Sequence, residues 1–171
     1  MLYFAYGSNM LTSRLRARCP GATPVGRGSL QGHTVDLTKR GRDGSGKATL
    51  IAGTGIVEGV LFRIQDGEWR ALDDAEGLGR GYDHCRVYVE ETGGARHLAL
   101  SYIAPSPVAG LPVFDWYLAL MRAGAAEHGL PVHVLRWVEA QPSVQDPEPE
   151  RPQRQDALRA LSEAGHADLI S

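Results

Sequence analysis

The feature of the sequence that most constrains its fold is the separation of strand patterns from helix patterns along the chain. Strand-like runs interrupted by glycines fill roughly the first hundred residues, at 2–6, 23–38, 48–53, 56–64, 86–91 and 97–103. Thr92-Gly93-Gly94 is a hairpin turn signal between the last two runs. Strands followed by helices predict an α+β fold around a curled, mixed but largely antiparallel sheet. Because the strands contain so many glycines, we expect the sheet to close into a small β-barrel flanked by helices.

Helical patterns are predicted at 10–17, 67–76, 113–128 and 132–140. Ser8 or Asn9 is expected to cap the first of these helices, and Gly77 fits the position just after the second. The run at 23–38 is expected to be a bent or bulged strand pair, and 39–47 a polar, glycine-rich loop.

The composition changes after Gln141, which indicates a boundary in the chain. Four prolines lie among acidic, basic and amide residues, at positions 142, 147, 149 and 152, as in an extended linker. The segment 156–164 is long enough for one or two helical turns. We therefore predict a domain at 1–141 and a proline-rich polar C-terminal extension at 142–171.

Composition and charge narrow the class of protein. A chain of 171 residues suits one domain with a core of its own. The formal net charge is −2 and no run of Lys or Arg occurs, which disfavours nucleic acid as a partner. The longest uncharged stretch, 98–114, contains three prolines and is no membrane helix, and 1–6 is too short for a signal peptide. Two cysteines are too few for a disulfide framework. We expect a cytoplasmic protein, monomeric or homodimeric, with a small-molecule partner.

Two common kinds of site are disfavoured. The segment 41–47 matches a phosphate-binding loop as far as its lysine, but Ala48 follows where a hydroxyl is needed, and the next residues predict a strand instead of a helix. The six histidines show no metal-ligand spacing. No metal and no cofactor are predicted.

The segment from Tyr3 to Met10 is one of two that indicate chemistry. A short strand runs into Gly7-Ser8-Asn9 and then into a predicted helix, so several backbone N–H groups are left free at one point. Such groups suit a carboxylate or a developing oxyanion. Most strand–glycine–helix junctions have no such role, so this segment alone is weak evidence.

Glu76 is the second indication of chemistry. On a helix, Trp69, Leu72, Asp73 and Glu76 fall within an arc of roughly 100°, while Asp74 points away. A carboxylate on an apolar stripe is paired, protonated or functional. Glu76 is therefore a candidate functional residue, and Asp73, on the same face, is its rival.

These two segments resemble γ-glutamylcyclotransferases of the AIG2-like superfamily. Tyr3 to Met10 is similar to the signature that opens that family, and Asp73-x-x-Glu76-Gly77 to the segment with its catalytic glutamate. Shorter stretches at 57–62, 100–102 and 117–131 are similar and in the same order. The resemblance covers about residues 2 to 140.

The resemblance implies a barrel-centred α+β fold and an enzyme that needs neither metal nor cofactor. It implies cyclisation of the γ-glutamyl group of γ-glutamyl amino acids or amines to 5-oxoproline, with Glu76 as the catalytic base. The backbone amides of the first loop would hold the glutamyl moiety, Tyr3 would line the same pocket and Tyr117 would contact substrate. The residues implied in substrate binding are Tyr3, Tyr6, Gly7, Ser8, Asn9 and Tyr117.

Two alternatives remain open at this point. One is a related cyclotransferase that acts on a larger γ-glutamyl-amine or a carrier-bound intermediate. The other is a non-catalytic domain of the same fold that binds a small molecule. Tyr-Gly-Ser-Asn-Met in place of Tyr-Gly-Ser-Leu disfavours the glutathione-specific branch, and the leaving group is not determined by the sequence.

Overall fold

In a computed structural model, which describes residues 1–170, five strands form a closed barrel in the order β1-β3-β2-β4-β5. The strands are β1 (Leu2–Ala5), β2 (Thr23–Arg40), β3 (Gly46–Arg63), β4 (Asp83–Glu91) and β5 (Arg96–Ile103). Neighbouring strands are antiparallel except for β1 and β5, which pair in parallel and close the barrel. The predicted α+β fold with a small, mixed, largely antiparallel barrel is confirmed.

Strands β2 and β3 form one long hairpin of 18 residues on each side. The prediction of a strand pair within 23–38 was wrong, because this segment is a single strand that pairs with β3 throughout. Its register shifts three times, once beside Gly32, whose φ of 76° is readily adopted only by glycine. The register shift between Gln31 and His33 falls opposite the glycines at 53 and 55, but β3 continues through it, so the two runs predicted at 48–53 and 56–64 are one strand. The turn at 41–45 joins the two strands, so no phosphate-binding helix follows Lys47.

Helices pack around the barrel, and most lie in the second half of the chain. They are α1 (Thr12–Arg16), α2 (Trp69–Glu76), α3 (Asp115–Glu127), α4 (Val132–Glu139) and α5 (Pro152–Glu163). Helix α3 is buried on nearly all sides and contacts α4, α5 and a short 3₁₀ turn at Ser8–Met10. The predicted position of Gly77 is confirmed, since its φ is 71° and its N–H donates to the carbonyl of Asp73.

The predicted cap of the first helix was wrong. Ser8 and Asn9 lie inside the 3₁₀ turn, and Leu11 takes the cap position of α1 without a side-chain hydrogen bond. The physical reason is that the amide of Asn9 is engaged by other side chains, described below, and is therefore turned away from the helix.

The C-terminal segment contains a longer helix than the sequence predicts. Helix α5 has 12 residues and packs against α1 and α3, and Pro152 occupies its first turn. Asp146 holds the preceding segment against α3 and the start of α5, because its buried carboxylate accepts hydrogen bonds from Trp116 Nε1 and Arg151 Nε. The division of the chain at residue 141 remains a prediction.

A close approach between α3 and the first loop fixes the loop against the core. A Cβ atom added to Gly124 would lie 2.4 Å from the backbone nitrogen of Leu11 and 2.6 Å from the carbonyl carbon of Met10. Only a glycine permits this contact between backbones. Within residues 1–170, no helix has the length and apolar character needed to cross a membrane.

Candidate active site

A cavity of about 560 Å³ opens between the first loop, α1, the β2–β3 turn, the end of α2, α3 and α5. All seven residues that were predicted to act in catalysis or substrate binding line it: Tyr3, Tyr6, Gly7, Ser8, Asn9, Glu76 and Tyr117. The two segments that carried the sequence argument are therefore neighbours in space, although almost seventy residues separate them in the chain. Their roles in binding and catalysis remain predictions.

Glu76 is the last residue of α2, and its side chain is only 14% exposed. Its Oε1 atom accepts hydrogen bonds from Asn9 Nδ2 at 2.9 Å and from Arg18 Nη1 at 2.6 Å. The contact with Arg18 is an ion pair. Its Oε2 atom accepts no hydrogen bond from any residue in the described part of the chain. One oxygen of Glu76 is thus held and the other is available in the cavity.

Asn9 connects three groups of the cavity wall. Its Nδ2 donates to Glu76 Oε1 and, at 3.0 Å, to Tyr3 Oη, while its Oδ1 accepts from Arg18 at 2.8 Å. The side chain is buried and uses both its donor and acceptor groups. Asn9 therefore orients the carboxylate of Glu76 with respect to the first loop.

The first loop leaves backbone donors at the cavity. The N–H groups of Gly7 and Asn9 form no hydrogen bond with any residue between 1 and 170. A Cβ atom on Gly7 would lie 3.2 Å from both Ala48 Cβ and Tyr117 Oη, so its backbone runs directly past the tyrosine. Free N–H groups at this position are suited to an oxygen that develops negative charge.

Tyr117 extends from α3 to the same loop. Its Oη accepts a hydrogen bond from the backbone N–H of Ala48 at 2.9 Å. Burial raises the pKa of the Tyr117 phenol to about 12, so the hydroxyl is protonated at neutral pH. Its own proton remains available for a bound molecule.

Asp73, the rival candidate, is engaged elsewhere. Its Oδ1 accepts a hydrogen bond from Tyr102 Oη at 2.6 Å and lies 2.6 Å from His84 Nε2. It lines a second, separate cavity of about 450 Å³ and is not among the residues that line the first. This placement favours Glu76 over Asp73 as the base.

Sequence reasoning missed the cations of the cavity, which include Arg14, Arg18, Lys39 and Lys47. A signal was present for Arg14 and Arg18, which are two cations four residues apart and follow the first loop closely in the sequence. Lys39 gives no such signal, because the pairing of β2 with β3 and the position of Tyr82 bring it to the site. Its ammonium lies 4.6 Å from the centre of the Tyr82 ring. For metals, residues 1–170 contain no group of three or more His, Cys, Asp or Glu side chains placed to hold an ion.

The chain is similar in sequence and in fold to known proteins. The AIG2-like family profile matches residues 56–138. The human and bovine γ-glutamylcyclotransferases are each 32% identical to the chain over 138 residues, which is 77% of this chain and 73% of theirs. A solved structure of a γ-glutamyl cyclotransferase superposes with a TM-score of 0.83 at 26% identity, over 93% of this chain and 98% of that one.

Proposed function

We propose that this chain, which belongs to the AIG2-like family of γ-glutamylcyclotransferases, cyclises γ-glutamyl amino acids or amines to 5-oxoproline and releases the amine. The observation that carries the proposal is the carboxylate of Glu76. It is fixed through one oxygen and free at the other, in a cavity that also receives unpaired N–H groups of the first loop.

The first step is the removal of a proton from the substrate. The α-amino group of a γ-glutamyl compound has a pKa of about 8 and is mostly an ammonium ion at neutral pH. Glu76 Oε2 accepts one of its protons and so produces the neutral amine that can attack. Asn9 and Arg18 hold the carboxylate in one orientation during this transfer.

The second step forms a ring within the substrate. The α-nitrogen attacks the γ-carbonyl carbon, and the N–H groups of Gly7 and Asn9 donate to the oxygen as it becomes negative. Because nucleophile and carbonyl belong to one molecule, a substrate held in the folded conformation reaches an effective molarity of about 10⁵ M or more.

The third step breaks the original amide. The proton on Glu76 passes to the departing nitrogen as the bond from the γ-carbon to that nitrogen breaks. The ring nitrogen still carries one proton more than a lactam has, and the carboxylate of Glu76 removes it and passes it to the released amine. The products are 5-oxoproline and the amine as its ammonium ion, and the carboxylate of Glu76 is regenerated. The atoms balance without water, metal or a covalent enzyme intermediate.

The direct test is a screen for 5-oxoproline formation by the purified protein. We expect turnover of at least one compound among γ-glutamyl-alanine, glutathione and γ-glutamyl-lysine. The released amine is measured in the same samples, and ligand binding is measured by calorimetry in parallel. Binding of these compounds without any turnover would favour the non-catalytic binding domain over the enzyme.

Replacement of Tyr117 with phenylalanine is expected to weaken substrate binding more than it slows the chemistry. The change removes one hydroxyl that faces the cavity and also leaves the N–H of Ala48 without its partner. A hydrogen bond of this kind contributes about 0.5–1.5 kcal/mol. We therefore expect KM to rise by about 3–10-fold and kcat to change by less than about threefold. Steady-state kinetics will measure both.

Tyr88→Phe is the matched control, since Tyr88 lies on β4 and its side chain is largely exposed. It should leave both kinetic constants at the wild-type values. Equal kinetics for Tyr117→Phe and Tyr88→Phe would remove Tyr117 from the substrate-binding residues.

A further inference from the structure

Arg14 is a buried cation without a counter-charge. It lies on α1, lines the cavity and is only 7% exposed. Its Nε atom is buried and has no hydrogen-bond partner, and no carboxylate of residues 1–170 forms an ion pair with its guanidinium. A buried charge without a partner is unfavourable for folding, so such a group in a cavity indicates an anion that arrives with a ligand.

The charged groups around Arg14 are already engaged with one another. Arg18, four residues along the chain, is paired with Glu76. Asp156, on α5, faces Arg14, but its Oδ1 accepts a hydrogen bond from Arg159 Nη2. Burial lowers the pKa of Arg14 to about 10, and the charge of Arg18 acts in the same direction. Arg14 is nevertheless charged at neutral pH, and its surroundings supply no anion that pairs with it.

A second unpaired cation occupies a different wall of the cavity. Lys39 is 8% exposed and forms no ion pair with any residue in the described range. Its Nζ lies beside Gly81, where an added Cβ would be 3.1 Å from Nζ and 3.2 Å from the carbonyl oxygen of Glu76. Lys39 is therefore close to the backbone of the proposed base, whereas Arg14 belongs to the wall built by α1 and α5.

Two separate cations match a substrate with two separate carboxylates. The glutamyl α-carboxylate is attached to the same carbon as the amine that Glu76 deprotonates, so it remains near Glu76 and is within the range of Lys39. A second carboxylate is present only when the leaving group is itself an amino acid or a peptide. A guanidinium binds a carboxylate through two parallel hydrogen bonds, which makes it a selective receptor for that group.

We infer that Arg14 is a specificity-determining residue whose guanidinium receives a carboxylate on the leaving group. This inference rests on the proposed cyclotransferase function. In this role, Arg14 makes the protein prefer γ-glutamyl amino acids to γ-glutamyl amines.

The test compares two substrates that differ only in that carboxylate. γ-Glutamyl-ethylamide is γ-glutamyl-alanine without the carboxylate of the alanine. A hydrogen-bonded charge pair contributes about 1.5–3 kcal/mol, so we expect the wild-type protein to prefer γ-glutamyl-alanine by about 10–150-fold in kcat/KM. In Arg14→Met the ratio of kcat/KM for γ-glutamyl-alanine to kcat/KM for γ-glutamyl-ethylamide should fall to within about threefold of unity. Only kcat/KM for γ-glutamyl-alanine should decrease.

Arg16→Met is the control, because Arg16 is on the same short helix but is exposed and is not among the residues that line the cavity. Its substrate ratio should equal that of the wild type. Arg14→Lys keeps the positive charge but cannot bind a carboxylate in the bidentate manner of a guanidinium. Its substrate ratio should lie between those of the wild type and Arg14→Met. In addition, the melting temperature of ligand-free Arg14→Met should be no lower than that of the wild type, since the variant loses an unpaired buried charge.

The outcomes separate the inference from the function on which it rests. If no variant and no substrate gives 5-oxoproline, the proposed function is wrong and the inference falls with it. The role of Arg14 is refuted, while cyclisation stands, if the wild type has equal kcat/KM for both substrates. The same holds if Arg14→Met and Arg14→Lys reduce kcat/KM by the same factor for γ-glutamyl-alanine and γ-glutamyl-ethylamide. A fall in the melting temperature of both variants, with an unchanged substrate ratio, would make Arg14 a structural residue.

Discussion

Replacement of Glu76 with glutamine is expected to abolish 5-oxoproline formation and to leave the fold in place. Glutamine has almost the same shape, and its amide oxygen can still accept the hydrogen bonds of Asn9 and Arg18 that Oε1 accepts now. It cannot take a proton from the substrate. General-base catalysis contributes about 10²–10⁴-fold, so we expect kcat to fall by about 10³-fold or more. Single-turnover measurements of 5-oxoproline, with protein in excess, will detect the residual rate.

The stability of this variant is part of the prediction. The Arg18–Glu76 pair is partly exposed to the cavity, so the loss of its charge is expected to lower the free energy of unfolding by about 1–2 kcal/mol. For a chain of this length that corresponds to a fall of about 2–8 °C in melting temperature. Thermal unfolding followed by circular dichroism measures it, and γ-glutamyl-alanine should still bind.

Asp74→Asn is the matched control, because Asp74 is on the same helix, two residues away, and faces solvent. Its kcat should stay within about twofold of the wild type, as for most surface substitutions. If Glu76→Gln retained most of the activity, Asp73 would become the candidate base despite its bonds to Tyr102 and His84. Unfolding of Glu76→Gln would instead identify a structural carboxylate.

Much of the fold was predictable because local patterns and the global architecture agree. The segregation of strands from helices predicts the α+β class, and the hairpin signal at Thr92-Gly93-Gly94 agrees with the turn between β4 and β5. The continuity of the β2–β3 hairpin was not predictable, since a glycine can end a strand or bend it. Only the pairing of β2 with β3 along its whole length decides between the two.

The candidate site was predictable only in part, for a different reason. Glu76 was singled out because helical periodicity places a carboxylate on an apolar stripe, which is a local property, and the family resemblance then implied its role as the base. Lys39 reaches the cavity through strand pairing, which no short pattern encodes. Asn9 was assigned to a cap because sequence preference favours Asn there, whereas tertiary hydrogen bonds to Tyr3 and Glu76 take its side chain instead.

These contacts make the position of the first loop the central structural requirement of the site. Asn9 can hold Glu76 only if the 3₁₀ turn at Ser8–Met10 lies where α3 now supports it, and Gly124 is the point of closest approach. The two nearest atoms that an added Cβ would meet belong to the backbone of Leu11 and Met10, so they cannot move aside as the end of a flexible side chain can.

Gly124→Ala is therefore expected to destabilise the protein and to impair catalysis together. In an exposed helix, replacement of glycine with alanine would stabilise the protein by about 0.8–1 kcal/mol. Any net loss of stability in Gly124→Ala is therefore due to the clash. We expect the free energy of unfolding to fall by about 2–3 kcal/mol and the melting temperature by about 4–12 °C. Since a displacement of about 1 Å at a catalytic group can reduce the rate about 10²-fold, kcat/KM measured well below the melting temperature should fall by about that factor.

Gly67→Ala provides the comparison, because a Cβ at Gly67, in the 3₁₀ turn before α2, would meet no atom within 4 Å. It should keep wild-type activity and a melting temperature within about 2 °C of the wild type, as expected for a substitution without a clash. If Gly124→Ala behaved like Gly67→Ala, the contact between α3 and the first loop would be loose enough to accept a methyl group. The orientation of Asn9 toward Glu76 would then depend on the hydrogen bonds among the cavity side chains instead of on support from α3.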